Sequence, residues 1–184
     1  MFIQTEITPN PATLKFIPGE TVMAQGTAFY ENAEDAANSP LAVRLFAIEG
    51  VSGAFFGSDF ISVTLNGQDW DDKKTEVLGA IMGHFTSGDP IASEFLSEDI
   101  PAMDENAEDA DIVAQIKELL DARVRPAVAR DGGDITFHGY TDGKVFLRMK
   151  GACAGCPSST ATLQYGIQNL LKHYIPEIES VEAV

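Results

Sequence analysis

A run of acid with no base in it does most to limit how this chain folds. Residues 98–111 carry Glu98, Asp99, Asp104, Glu105, Glu108, Asp109 and Asp111, and no Lys or Arg. Like charges at this density repel and extend the backbone, and the stretch has no apolar periodicity for a core to use. It reads as a solvated tether whose end leads into the next helix. The 184 residues are therefore expected to form two small units. These are residues 1–96, an acidic flexible linker at 97–109, and residues 110–184. The flanks differ in charge as well. Residues 1–97 hold 4 basic and 13 acidic side chains, whereas 112–184 hold 8 of each. No internal repeat relates the two halves.

Composition removes several function classes. With hydrophobic residues at 45%, a real core can be buried. The formal charge of −16 argues against a nucleic-acid surface, which needs concentrated positive charge, and against docking on anionic lipid. No apolar stretch approaches the roughly 20 residues that span a bilayer. The opening Met1-Phe2-Ile3-Gln4-Thr5-Glu6 has neither a basic region before an apolar run nor the arginines of a transit peptide. The expected setting is a cytoplasm, or an organelle whose targeting segment is absent from the chain.

The first unit reads as mixed α and β. Phe2–Thr8 alternates as a strand does, and Leu14–Ile17 forms a second one, closed by Pro18-Gly19. Ser39-Pro40 opens a helix as cap and first helical residue, with Leu41, Leu45 and Ile48 on one face and Gly50 past its end. Val51–Phe56 and Phe60–Leu65 flank Gly57-Ser58-Asp59 as a hairpin. Asp71 or Asp72 starts a further helix, whose stripe is Val77, Leu78, Ile81, Met82 and Phe85, with Gly88 following. His84 is expected at its surface or edge. Trp70 and the phenylalanines are expected to pack the core or the unit's edge.

The second unit has cleaner punctuation. Ile112, Ile116, Leu119 and Leu120 recur at helical spacing from a start near Asp109 or Asp111, and Pro126 kinks or restarts that helix near Arg125. Asp131-Gly132-Gly133-Asp134 reads as a structural turn. Ile135 and Phe137 lie on a strand, and Asp142-Gly143 is a tight-hairpin signal. The return strand, Lys144–Lys150, sets Val145, Leu147 and Met149 on one face. Pro157 then opens a helix lined by Leu163, Ile167, Leu170, Leu171 and Tyr174. Pro176 stops it, and Ile178–Val184 supplies a last strand. Strand, helix and strand here suggest a right-handed crossover if the two strands are parallel. The fold class is α+β, as two small mixed domains.

The chain has two cysteines, and both stand within four residues, Cys153-Ala154-Gly155-Cys156. They cannot staple distant parts of the fold, so reactivity or metal binding is indicated. The pair falls between a strand end and a helix start. Unpaired N–H groups and the positive end of the helix dipole would favour thiolate there, with Lys150 and Arg148 adding positive charge nearby. Gly151 and Gly155 remove side-chain bulk, so a bound object could approach the backbone closely.

Three chemistries compete for that pair. Iron–sulfur ligation usually takes four thiolates, and one chain supplies two, so a second copy across a two-fold axis is the simplest closure. Dithiol–disulfide exchange also uses C-x-x-C at such a junction, but too little chain follows here to complete a thioredoxin-like fold. Zinc would need Cys153, Cys156, His138 and His173 together, but the histidines lack finger spacing, and His138 falls on the hairpin while His173 falls at the far end of the last helix, several turns from the sulfurs. Idle thiols are the bland alternative. No Ser/His/Asp order, phosphate loop or dinucleotide fingerprint occurs.

Several blocks of the sequence carry a resemblance. Arg130-Asp131-Gly132-Gly133-Asp134, Gly151-Ala152-Cys153-Ala154-Gly155-Cys156-Pro157-Ser158-Ser159, Thr162-Leu163 and Gly166-Ile167 resemble the C-terminal domain of NifU, the Nfu iron–sulfur scaffold module. Met1–Thr5, Thr8–Pro11, Leu14–Gly19, Ser39–Ala42, Phe55–Gly57 and Asp59–Ile61 resemble the N-terminal domain of mitochondrial Nfu proteins and their bacterial relatives. The resemblance implies a scaffold or carrier, not an enzyme. It would hold a [4Fe–4S] cluster between two chains and pass it to apo-protein clients, with upstream assembly factors as further partners. Cys153 and Cys156 match the ligand pair, and a homodimer through the cluster is implied. The N-terminal domain is implied to assist partner contact. A start at Met1 fits a bacterial cytoplasmic member, with the mitochondrial matrix as the setting of a processed eukaryotic form.

Overall fold

The computed structural model of the chain describes residues 2–67, 69–92, 109–154 and 157–184, with the side chains of 157–159 excepted. It divides into two compact units, Met1–Ser97 and Glu98–Val184. The proposed linker lies almost wholly outside the described residues.

In the first unit, β1 (Gln4–Ile7), β2 (Thr13–Ile17), β3 (Ala28–Tyr30), β4 (Val51–Phe56) and β5 (Ile61–Leu65) form an antiparallel sheet in the order β1-β2-β5-β4-β3. The short β3, which pairs Ala28–Tyr30 with Phe56–Ala54, has too few residues to show a period in the sequence. Helix α1 (Pro40–Phe46) begins as expected: the Ser39 hydroxyl oxygen accepts from the Ala42 N–H at 3.1 Å. That hydroxyl also donates to the Ile91 carbonyl, tying the segment after α2 to the start of α1. Leu41 and Leu45 are buried, but α1 ends at Phe46, so Ile48 packs from the loop instead of the helix face.

Helix α2 (Trp70–Ser87) starts one residue before Asp71 and two before Asp72, because Asp69 caps it by accepting from the Asp71 N–H. Asp71 and Asp72 then sit in its first turn, where the dipole favours them. Gly88 closes the helix with a left-handed φ of +70°. Val77 and Ile81 are buried, but Met82 is exposed, and His84 is 1% exposed against the expectation of a surface position. Trp70 docks α2 on the sheet: its ring stands 5.7 Å from that of Phe16, and its Nε1–H donates to the Ala12 carbonyl at 3.1 Å.

The second unit starts with α3 (Ala110–Leu119), continues through a π-helical turn at Leu120–Val124, and resumes as α4 (Arg125–Arg130). The interruption falls where Pro126 forbids a continuous hydrogen-bond ladder. Strands β6 (Gly133–Thr141) and β7 (Lys144–Gly151) form the hairpin, turned at Asp142 and Gly143 with φ of +49° and +76°. Two consecutive positive φ angles are what a tight hairpin turn requires. Helix α5 (Pro157–Tyr174) crosses over to β8 (Ser180–Ala183), which pairs with β7 in parallel, giving the order β6-β7-β8.

The core of this unit gathers Ile116, Leu120, Val128, Ile135, Val145, Leu147, Ile167 and Leu171. Burying an aliphatic side chain of this size stabilises the fold by about 1.5–3 kcal/mol relative to exposure. Tyr174, expected on the buried face of α5, is instead exposed against the Arg123 guanidinium, 5.3 Å away.

Candidate functional site

Two glycines open the floor of the site. Gly132 takes a left-handed φ of +81°, reversing the chain after α4, and Gly133 begins β6 opposite Gly151 on β7. The expected turn at residues 131–134 is therefore half turn and half strand. Beyond the ladder, the Ala152 N–H donates to the Gly132 carbonyl at 3.2 Å. Gly151 takes a φ of +63°, and the Ala154 N–H donates back to its carbonyl at 3.0 Å. These bonds bend the chain out of β7 and deliver Cys153 onto the end of the sheet. From the far side, the Thr160 hydroxyl on α5 donates to the Cys153 carbonyl at 3.0 Å.

Cys153 is 6% exposed and belongs to the core of the unit. Burial pushes its thiol up to about 12, and the carboxylates Asp131 and Asp134 push in the same direction. This corrects the expectation of a thiolate-favouring pocket. Desolvation disfavours the charged thiolate at this position. Arg148 and Lys150 lie on alternate positions of β7 from the core residues Leu147 and Met149, and so belong to the other face of the sheet. Cys156 and Gly155 lie outside the described residues.

A third feature could not have been found by spacing. Asp134, 4% exposed, receives a two-pronged grip from Arg125: Nε to Oδ1 and Nη2 to Oδ2, each 2.9 Å. The Ile135 N–H also donates to Oδ1 at 2.8 Å, and the remaining Arg125 Nη1 reaches Asp121 at 2.9 Å. The pair locks the restarted helix α4 to the first residues of β6, on which the Cys153 loop rests. With both carboxylate partners around it, the Arg125 guanidinium is held still more firmly in its charged form.

The histidines do not join this centre. His138 is half-buried on β6 beside a bulge between Phe137 and Gly139, and His173 is exposed near the far end of α5. Among the described residues, no three His, Cys, Asp or Glu side chains converge as a metal-binding group. Of the expected zinc set Cys153, Cys156, His138 and His173, the three described members do not come together. As a donor, the soft thiol of Cys153 suits iron in a sulfur-rich environment.

Comparison with known proteins bears on the whole length. Residues 116–182 match the NifU-like domain family, and residues 3–88 match the family described as scaffold protein Nfu/NifU N terminal. The "NFU1 iron-sulfur cluster scaffold homolog, mitochondrial" of Homo sapiens is 49% identical over 187 residues, covering 100% of this chain and 72% of its own length. This chain belongs to the Nfu family. The Nfu relative of Drosophila sechellia with the same name is 50% identical, and "NifU-like protein 4, mitochondrial" of Arabidopsis thaliana is 48% identical. The chain spans 65% of the length of each of these two. Among solved structures, a NifU-like protein from Saccharomyces cerevisiae shares 22% identity and superposes with a TM-score of 0.47 over 51% of this chain and 86% of its own.

Sequence reasoning set Arg125 at a helix restart and Gly133 in a turn and did not single out Thr160, so it missed what each of the three contacts. Only Gly133 left a signal, since a glycine at the start of a strand marks a close backbone approach.

Proposed function

We propose that this chain is an iron–sulfur cluster scaffold and carrier, holding its cargo through Cys153 and Cys156 and releasing it to apo-protein clients. The observation that carries this reading is the placement of Cys153. It stands on a bent strand exit, its carbonyl anchored to α5, and Cys156 directly precedes Pro157, the first residue of that helix. Family membership supports the class of cargo. The finer assignment to a [4Fe–4S] cluster rests on donor arithmetic: a cubane takes four thiolates and one chain contains two cysteines. A second copy of the chain supplies the other two, so the loaded form is a homodimer joined through the cluster.

The chemistry at Cys153 suits a cargo site. Iron takes the thiolate, so loading exchanges the S–H proton for an Fe–S bond and releases that proton. Each ligand sulfur is then replaced by a client thiolate in turn, and the departing Cys153 regains a proton. The chain is thus a carrier and not an enzyme. Its partners are a second copy, upstream cluster assembly factors and apo iron–sulfur clients. The names of the relatives support a mitochondrial setting. A dithiol oxidoreductase would want an attacking thiol that ionises near ambient pH, and the burial of Cys153 works against that.

Anaerobic reconstitution with iron and sulfide tests the reading. About four irons per dimer, with a mass that doubles on loading, is the expected result. Cys153→Ser and Cys156→Ser should each abolish cluster binding and leave the far-UV circular dichroism unchanged. Retention of a full cluster by the double variant, or by a monomer, would overturn the ligand assignment.

A further inference from the structure

We infer that Gly133 and Thr160 are positioning residues for Cys153, one making room for its sulfur and the other holding its backbone. The inference rests on the reading of Cys153 as a cluster ligand and extends it to residues outside the C-x-x-C segment.

Gly133 is the first residue of β6, and no positive φ requires a glycine there. Space does. A Cβ at this position would lie 2.5 Å from the Cys153 Sγ, 2.8 Å from the Lys150 carbonyl oxygen and 3.0 Å from the Cys153 backbone nitrogen. The sulfur therefore occupies the space a side chain of residue 133 would take. Two of the three close atoms are backbone and cannot swing aside, so the loop itself must move if residue 133 gains a Cβ. Ala152 hydrogen-bonds to Gly132 immediately alongside, so such a shift passes directly into the strand exit.

Thr160 acts from the opposite side. Its hydroxyl spans seven residues to donate to the Cys153 carbonyl at 3.0 Å. A threonine inside a helix commonly turns its hydroxyl back to a carbonyl of its own preceding turn. Here it reaches across the C-x-x-C segment instead and pins the ligand loop to α5. The strand end and the helix thus hold Cys153 from two directions.

The test is native-state alkylation of the full-length apo chain with iodoacetamide at one fixed pH, with the modification of each cysteine followed by mass spectrometry. In the starting protein, Cys153 should react slowly. Gly133→Ala should raise the Cys153 rate at least tenfold relative to Cys156. Thr160→Val should raise it severalfold, and Thr160→Ser, which keeps the hydroxyl, should restore the slow rate. A merely structural role would speed both thiols together with the loss of global stability, so the ratio of the two rates is the deciding readout.

Should Gly133→Ala fail to fold, the Thr160→Val and Thr160→Ser pair decides alone. An unchanged Cys153-to-Cys156 ratio in folded variants, or a Thr160→Ser as fast as Thr160→Val, overturns the inference. Cluster reconstitution by Cys153→Ser is the separate test of the ligand reading. If Cys153→Ser binds cluster while the alkylation pattern is as expected, the ligand reading fails and the positioning of the loop stands.

Discussion

Replacing Arg125 by Met offers a sharp test of how the second unit is held together. The change removes both prongs from Asp134, whose side chain is 5% exposed, while the Ile135 N–H still donates to Oδ1. Removing one partner of a well-buried pair costs about 3–5 kcal/mol, because a charge is left buried without compensation. The Arg125 side chain is 38% exposed, so water can follow it into the gap. Discounting for that screening gives an expected loss of about 2 kcal/mol. The second bond of Arg125, to Asp121, joins side chains 38% and 64% exposed and adds only about 0.3–0.5 kcal/mol.

Urea unfolding of the full chain measures the loss. Trp70, the single tryptophan, lies in the first unit, so its fluorescence follows that unit alone, whereas far-UV circular dichroism follows both. With a slope of about 1 kcal/mol per molar urea, the second-unit transition should move down by about 2 M. The Trp70 transition should stay in place. The double variant Arg125→Met, Asp134→Asn removes both charges and should recover more than half of the loss, since no carboxylate is left buried without its guanidinium. A shift below about 0.5 M, or a double variant less stable than the single one, would refute the placement of this pair as a buried lock.

Other outcomes follow from the same reasoning. Gly143→Ala should cost about 2–3 kcal/mol in the same second-unit transition, since a left-handed residue acquires a Cβ. That atom would meet the Glu179 Cγ at 2.8 Å and the Glu177 carbonyl at 3.0 Å. For His84, burial first and then the Arg44 charge hold the imidazole below its ordinary value, with Asp89 opposing weakly. A lowered folded-state value means that the unfolded chain takes up the proton first as pH falls. Stability is thus complete above about pH 6.5 and is lost as pH drops through the folded-state value. Between pH 7.5 and pH 5, the Trp70-monitored transition should fall further in the parent protein than in His84→Met. Equal falls in the two would exclude the imidazole as the cause.

What could be read from the chain alone was local or arithmetical. The Ser39-Pro40 cap, the Asp142-Gly143 hairpin and the break at Pro126 are dictated by the dihedral limits of those residues, which act wherever they stand. The alternation of Val145, Leu147 and Met149 states the buried face of β7 directly. The confinement of both cysteines to four residues is likewise plain without any coordinates. Tertiary structure decided what depends on neighbours distant in sequence. The three residues of β3 are too few to show a period, and they form a strand because β4 offers them an edge. His84 and Tyr174 exchanged their expected exposures because a helical stripe gives a direction, while the depth of burial depends on what packs against it. The lock between Arg125 and Asp134 and the room that Gly133 leaves for a sulfur exist only once α4, β6 and the Cys153 loop meet. The same meeting buries Cys153 and so works against the thiolate expected there, since a thiol loses its solvent only when the rest of the fold surrounds it.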